Sequence, residues 1–149
     1  MSQPAPCPFD SPRPAQTEHW DFVASLSVSS LYLSTNQTYR GYCLLVFDPR
    51  HATRLDQLSS AEWAAYAADL QRANNAIVEA VKPEHMNMDL LGNIVQHLHW
   101  HIVPRRKDDG RWGSPIWTSN LTDMKVTRMP AEERRALIAQ LAEALHGKR

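Results

Sequence analysis

His97, His99 and His101 occupy every second position of the stretch HLHWHIV. Successive side chains of a strand point to opposite faces, so this spacing puts the imidazoles on one face, about 7 Å apart per step at full extension. On a helix, steps of two would scatter the rings. The alternation therefore demands a strand, with Leu98, Trp100 and Ile102 directed to the opposite side and into a core. The chain has seven histidines in 149 residues, and three fall inside this five-residue window. That density marks the strand as a site of chemistry.

Around it the sequence reads as alternating short elements. Leu26 to Leu33 alternates loosely and is rich in β-branched and aromatic residues, a strand pattern. Tyr42 to Phe47 is a continuous apolar run, as expected for a strand buried on both faces, and it can pair with the first as a hairpin. Asp48-Pro49 ends it. Ser59 and Glu62 then match a capping box, and Trp63, Ala67, Leu70, Ala73, Ile77 and Val81 recur at helical spacing until Pro83. Met86 to Leu91 reads as a strand leading through Gly92 and Asn93 to a strand over His97 to Val103, which Pro104 is expected to end. A last helix is expected from about Pro130, with Glu132 and Glu133 in its first turn, Leu137, Ile138, Leu141 and Leu145 as its apolar stripe, and Gly147 as its cap. The fold class is α+β, with an antiparallel sheet of about five strands and two main helices. Residues 1–18, rich in Pro and Ser, read as an extended arm, and residues 19–149 as a single domain.

Charge narrows the function. Sixteen basic residues balance 16 acidic ones. A general nucleic-acid or anionic-membrane binder would carry a basic excess, so neither partner is expected and any phosphate must be met by a local site. No apolar run is long enough to span a bilayer, and the first residues lack the basic start and apolar stretch of a secretory signal, so a cytoplasmic protein is expected. Cys43 lies in an apolar run, and burial explains it better than a disulfide with Cys7.

Three imidazoles on one strand face support two chemistries. Neutral imidazole is a zinc ligand. It is also a nucleophile at physiological pH, and its neighbours can then donate hydrogen bonds to phosphate oxygens as charge builds up. Spacing alone does not separate the two.

The stretch QHLHWHIVPR, Gln96 to Arg105, resembles the signature of the histidine-triad (HIT) family: His, apolar, His, apolar, His and two further apolar residues. The preceding MNMDLLGN, and LYLSTNQTYRGYCLLV with Pro49 to His51 after it, are similar to the branch containing dinucleoside-polyphosphate hydrolases. The resemblance covers about residues 20 to 118. It implies a HIT-like fold and a reaction in which the middle histidine, His99, attacks the α-phosphate of a nucleotide ester, anhydride or phosphoramidate. A covalent nucleotidyl-histidine forms, and water or another acceptor releases the nucleotide. It further implies that His97 and His101 orient His99 and contact the phosphate, that Asn93 lies beside the phosphates, that the protein is a homodimer, and that neither a metal nor another cofactor takes part in the chemistry. The nucleophile must be unprotonated at its attacking nitrogen, so the other ring nitrogen of His99 is expected to donate to a nearby backbone carbonyl.

Other residues divide between roles. Gly92-Asn93 is also ordinary turn chemistry. Asn87 and Asp89 share a strand face and could meet a ribose or a water, or serve structure alone. Arg105, Arg106 and Lys107 read as solvated surface before a phosphate-steering patch. Trp112 and Trp117 close over the site or cap the core. Some relatives hold a structural zinc with a Cys-x-x-Cys and downstream histidines. Here Cys7 is followed by Asp10 where the second thiol would stand, with His51 downstream, and no zinc is predicted. The expected function is a nucleotide-phosphate hydrolase acting on dinucleoside polyphosphates or related conjugates. The alternatives are a nucleotidyltransferase using the same adduct, a nucleotide-binding protein with little turnover, and a metalloenzyme built on the histidines.

Overall fold

A computed structural model of the chain describes residues 6–117 and 125–147. Among the described residues five strands form one antiparallel sheet: β1 (Trp20–Ser25), β2 (Ser29–Ser34), β3 (Cys43–Phe47), β4 (His85–Asp89) and β5 (His99–Arg105), in the order β1-β2-β3-β5-β4. Two helices, α1 (Ser60–Val81) and α2 (Ala131–His146), accompany it. The α+β class and the two-helix, five-strand arrangement are those expected from the sequence. No helix among the described residues is long and apolar enough to cross a membrane.

The sheet separates two apolar clusters. Leu31, Leu33, Cys43, Leu45, Phe47 and Ile102 face the helices and pack with Tyr66, Ala73, Ile77, Leu137 and Leu141. Tyr32, Tyr42, Leu44, Val46 and Val103 face the other way, where Phe9, Trp20 and Ile116 cover them. Every residue of β3 is buried, which is why it reads as an unbroken apolar run rather than an alternating one. The capping box is present: Ser59 Oγ accepts from Glu62 N at 3.1 Å, and Glu62 Oε2 accepts from Ser59 N at 2.8 Å. Lys82, in the left-handed conformation (φ 47°), ends α1 just before Pro83.

Several strand boundaries differ from the sequence reading. The strand β1 was not expected, and the strand read from Leu26 starts at Ser29 because residues 26–28 form the turn between β1 and β2. The expected strand over Met86 to Leu91 spans His85–Asp89. The strand expected from His97 starts at His99, since its neighbour β3 ends at Phe47 and the last pair of that ladder is Val46 with His99. It also runs through Pro104 instead of stopping there. The ladder with β3 begins at Cys43 opposite Ile102, so beyond Ile102 only β4 pairs with β5, and the missing N–H of proline breaks no bond on the open side.

One buried carboxylate fastens α1 to the β1–β2 turn. Asp69, 1% exposed, accepts from Ser27 N (3.2 Å), Ser27 Oγ (2.7 Å), Val28 N (2.9 Å) and Ser29 Oγ (2.7 Å). Removing the acceptor strands the half-buried Val28 N and the buried Ser29 Oγ and frees the two donors of exposed Ser27 from the helix. Asp69→Ala is therefore expected to destabilise the protein by about 3 kcal/mol, read as a lower urea midpoint at unchanged slope. A loss within ±0.5 kcal/mol, the usual range for a surface change, would remove the carboxylate from this role.

Candidate functional site

The pairing of β5 between β3 and β4 sets Val46 opposite His99, Leu44 opposite His101 and Asp89 opposite His101. His99 and His101 project from the face opposite the helices, with ring centroids 4.8 Å apart. His97 sits two residues earlier, before the first residue of the strand, and is 2% exposed. Leu98 and Ile102 point to the helix side and are buried, and Trp100 packs partly buried against the same core.

His99 Nδ1 lies 2.6 Å from the carbonyl oxygen of His97. A carbonyl only accepts, so Nδ1 carries the ring hydrogen and Nε2 of the neutral imidazole keeps its lone pair. Burial lowers the affinity of His99 for a second proton, and charge on His97 would lower it further, against a raising effect of the backbone contact. The edge of Phe9 approaches His99 with centroids 4.8 Å apart. His99 lines a cleft of about 320 Å³ together with Thr53, Arg54, Leu55, Asp56, Leu90, Leu91, Gly92, His97 and Leu98.

His101 is held differently. Its Nδ1 lies 2.6 Å from the hydroxyl of Tyr42, and its ring packs at 4.6 Å against Trp117, whose Nε1 donates to Asp89 Oδ2 at 3.0 Å. Burial, with the neighbouring His99, pushes its pKa down to about 3, so the ring is neutral across the physiological range.

His97 has both nitrogens engaged. Nε2 donates to the carbonyl oxygen of Phe47 at 2.7 Å. Nδ1 faces Asp10 Oδ1 at 3.2 Å and Cys7 Sγ at 3.8 Å. His51 Nδ1 meets the same Asp10 oxygen at 2.8 Å, and hydrogen bonding to His51 is the main influence holding the Asp10 carboxyl below its usual range. The four ligand atoms of Cys7, Asp10, His51 and His97 lie within 4.8 Å of one another. Tetrahedral zinc sets such atoms roughly 3.2–3.8 Å apart. With Nε2–H given to Phe47, Nδ1 of a neutral His97 presents a lone pair to a carboxylate oxygen. A cation held between them would satisfy both lone pairs. The donor set of one thiol, one carboxylate and two imidazoles suits zinc.

The remaining sequence candidates fall outside this constellation. Asn93 is exposed on the segment before the triad and is not among the residues lining the cleft, whereas Gly92, at φ +80°, is. Asn87 Oδ1 accepts from Arg105 Nη1 at 2.6 Å. Arg105 is 2% exposed, binds Asp109 through Nε at 2.6 Å and Ser114 O through Nη1 at 2.8 Å, and lies over the Tyr39 ring. Its guanidinium pulls the Asp109 carboxyl down to about 2. Arg105 and Asn87 thus tie down the segment after the triad, and Arg105 is neither solvated surface nor a steering charge. Of the two tryptophans, Trp117 stands against His101 while Trp112 is exposed beside His85. Phe9 and Tyr42 were not singled out as site residues from the sequence. Nothing in a Pro-rich lead or an apolar run signals that its aromatic ring will meet an imidazole.

Comparisons with known proteins agree with this architecture. The model of the HIT domain matches residues 21–108. Adenylylsulfatase HINT3 of Arabidopsis thaliana is 30% identical over 88 residues, which is 55% of this chain and 44% of that protein. The chain thus spans less than half the length of that curated relative. A histidine triad protein from Bradyrhizobium japonicum superposes with a TM-score of 0.78 at 26% identity, covering 86% of this chain and 92% of that one. One from Sinorhizobium meliloti does so with a TM-score of 0.76 at 24% identity, covering 85% and 90%. The chain belongs to the HIT-domain family.

Proposed function

We propose that this protein is a nucleotide-phosphate hydrolase that works through a covalent nucleotidyl-histidine on His99. The observation that carries the reading is the contact of His99 Nδ1 with the His97 carbonyl at 2.6 Å. It fixes the tautomer, so the lone pair on Nε2 is free for attack on phosphorus. In the first displacement Nε2 forms a bond to the α-phosphorus, and the bond from phosphorus to the leaving oxygen breaks, its electron pair departing with the leaving group. In the second, a water oxygen bonds to phosphorus and gives up a proton to solvent, the phosphorus–nitrogen bond returns its pair to Nε2, and the nucleoside monophosphate is released. Each displacement has a better nucleophile or leaving group than direct hydrolysis. The adenylylsulfatase name of the Arabidopsis relative supports a nucleotidyl substrate. Dinucleoside polyphosphates fit the same two steps, and transfer of the adduct to an acceptor other than water would make the protein a nucleotidyltransferase. Asn87, whose side chain holds Arg105, is given no substrate contact, and Asn93, exposed on the segment before the triad, is kept at the periphery of the substrate.

His97 takes a structural part in this reading rather than contacting phosphate. Cys7, Asp10, His51 and His97 would hold a zinc ion, which would neutralise the thiolate and carboxylate and clasp residues 7–10 beside the triad. The chemistry on phosphorus passes through His99 and not through that ion. The reading extends to a homodimer in which β4, the terminal strand of the sheet on its side, pairs along its outer edge.

Rapid quenching with an adenylyl donor radiolabelled at the α-phosphate tests the central claim. Wild type is expected to retain acid-labile label, and His99→Ala to retain none and to lose at least about 10³-fold in turnover, the scale of losing a nucleophile. Turnover near wild type in His99→Ala would refute it. Zinc added to metal-free protein is expected to raise Tm by several degrees, in line with roughly 2.7 kcal/mol at a hundredfold excess over Kd, and the Cys7→Ser, His51→Ala double variant should lose that rise. An equal rise in both proteins would remove these residues as ligands. Light scattering at micromolar concentration should give twice the chain mass; the mass of one chain would end the dimer proposal.

A further inference from the structure

Tyr42 is the last residue before β3 and is 6% exposed on the triad face. Its hydroxyl lies 2.6 Å from His101 Nδ1, and no other hydrogen-bond partner of that hydroxyl is present among the described residues. Two arrangements satisfy this distance. If Nδ1–H donates to the phenol, the phenolic hydrogen is buried without an acceptor, a costly state. If the phenol donates to Nδ1, every atom of the pair is satisfied, and the hydrogen of the neutral imidazole must sit on Nε2. Burial, and after it the negative charge of Asp89, keeps Tyr42 protonated, which the donor role requires.

The rest of the pocket fixes the ring rather than competing for it. Trp117 packs across His101 at 4.6 Å, and its indole N–H is spent on Asp89 Oδ2 at 3.0 Å, so it offers His101 no hydrogen bond. Tyr42 and Trp117 also meet edge-on at 6.5 Å. His101 therefore has one hydrogen-bonding nitrogen committed and one, Nε2, left for whatever lies beside His99.

We propose that Tyr42 is a positioning residue, whose hydroxyl sets His101 in the Nε2–H tautomer so that this imidazole presents a hydrogen-bond donor to the substrate phosphate. The inference rests on the phosphoryl chemistry proposed for His99, and it adds the residue that decides which nitrogen of His101 can donate. As His99 Nε2 bonds to phosphorus, charge grows on the phosphate oxygens, and the His101 Nε2–H stabilises it without leaving the ring. No proton is transferred. In the opposite tautomer Nε2 would present a lone pair to an anionic phosphate and repel it.

The test compares wild type with Tyr42→Phe, which keeps the aromatic ring and removes only the hydroxyl. Nitrogen-15 NMR of the imidazoles, assigned with His101→Gln, is expected to show a protonated Nε2 and an unprotonated Nδ1 for His101 in wild type, and a mixture of tautomers in Tyr42→Phe. Steady-state kinetics should show kcat lower by about 10-fold to 100-fold with KM within about 2-fold, the pattern of an interaction made in the transition state. A protonated Nδ1 in wild type overturns the inference, as does an unchanged tautomer in Tyr42→Phe. Unchanged kcat with a changed tautomer overturns its part in the reaction. The NMR result does not depend on turnover, so failure of the His99 adduct and failure of the Tyr42 assignment are read separately.

Discussion

The pairing of β5 with β3 is the constraint on which the site depends. Val46 opposite His99 and Leu44 opposite His101 place two imidazoles over a floor of aliphatic side chains, on the face the helices do not cover. The same register turns Ile102 into the opposite core, where it is fully buried among Leu45, Tyr66 and Ile77. A slip of one residue would exchange these faces, putting imidazoles against the helices and Ile102 toward the cleft. Core packing thus enforces the orientation of the reactive side chains. Burying imidazoles without hydrogen-bond partners in the helix-side core would itself be costly.

Within that frame, each histidine acquires a different character from its second nitrogen. His97 gives Nε2–H to Phe47 and faces Asp10 and Cys7 with the other nitrogen. His99 gives Nδ1–H to a main-chain carbonyl. His101 meets a phenol at Nδ1. Three identical side chains at equal spacing are thereby given three different surroundings, which underlie the proposed roles of anchor, nucleophile and donor. Burial adds to the division, because it disfavours the charged form of both His99 and His101 and so preserves the hydrogen-bonding pattern against protonation.

Much of this was legible in the sequence because the relevant signals are local. The alternation of histidines requires a strand, Ser59 and Glu62 announce the start of α1, and the unbroken apolar run of β3 announces a central strand. The backbone acceptor for His99 followed from what a neutral nucleophile needs, and it is there. What stayed hidden is non-local. Cys7, Asp10, His51 and His97 meet across as many as 90 residues of sequence. Arg105 looks like the first of a basic surface run until the loop from Arg106 to Ser114 folds back and supplies its acceptors. Pro104 looks like a strand end because a missing N–H matters only where a ladder exists to be broken. The strand β1 escaped notice because a polar and Pro-rich lead masks Trp20 and Val23, whose burial depends on partners in β2 and in the two cores.

The N-terminal residues tie these observations together. Phe9 is 5% exposed, packs on Trp20 and turns its edge toward His99, while its neighbours Cys7 and Asp10 reach His97. Arg13, joined to Asp48 and to the hydroxyl of Tyr32, fixes the next turn of the same segment against the end of β3. The segment therefore touches His99 with an apolar ring and His97 with polar groups. An apolar ring beside His99 excludes water from one side and disfavours the imidazolium, whereas His97 meets a carboxylate and a thiol. Two histidines only two residues apart thus receive apolar and polar surroundings from neighbouring side chains of one short segment. That division sets the proposed anchor, His97, apart from the proposed nucleophile, His99, at the first position of β5.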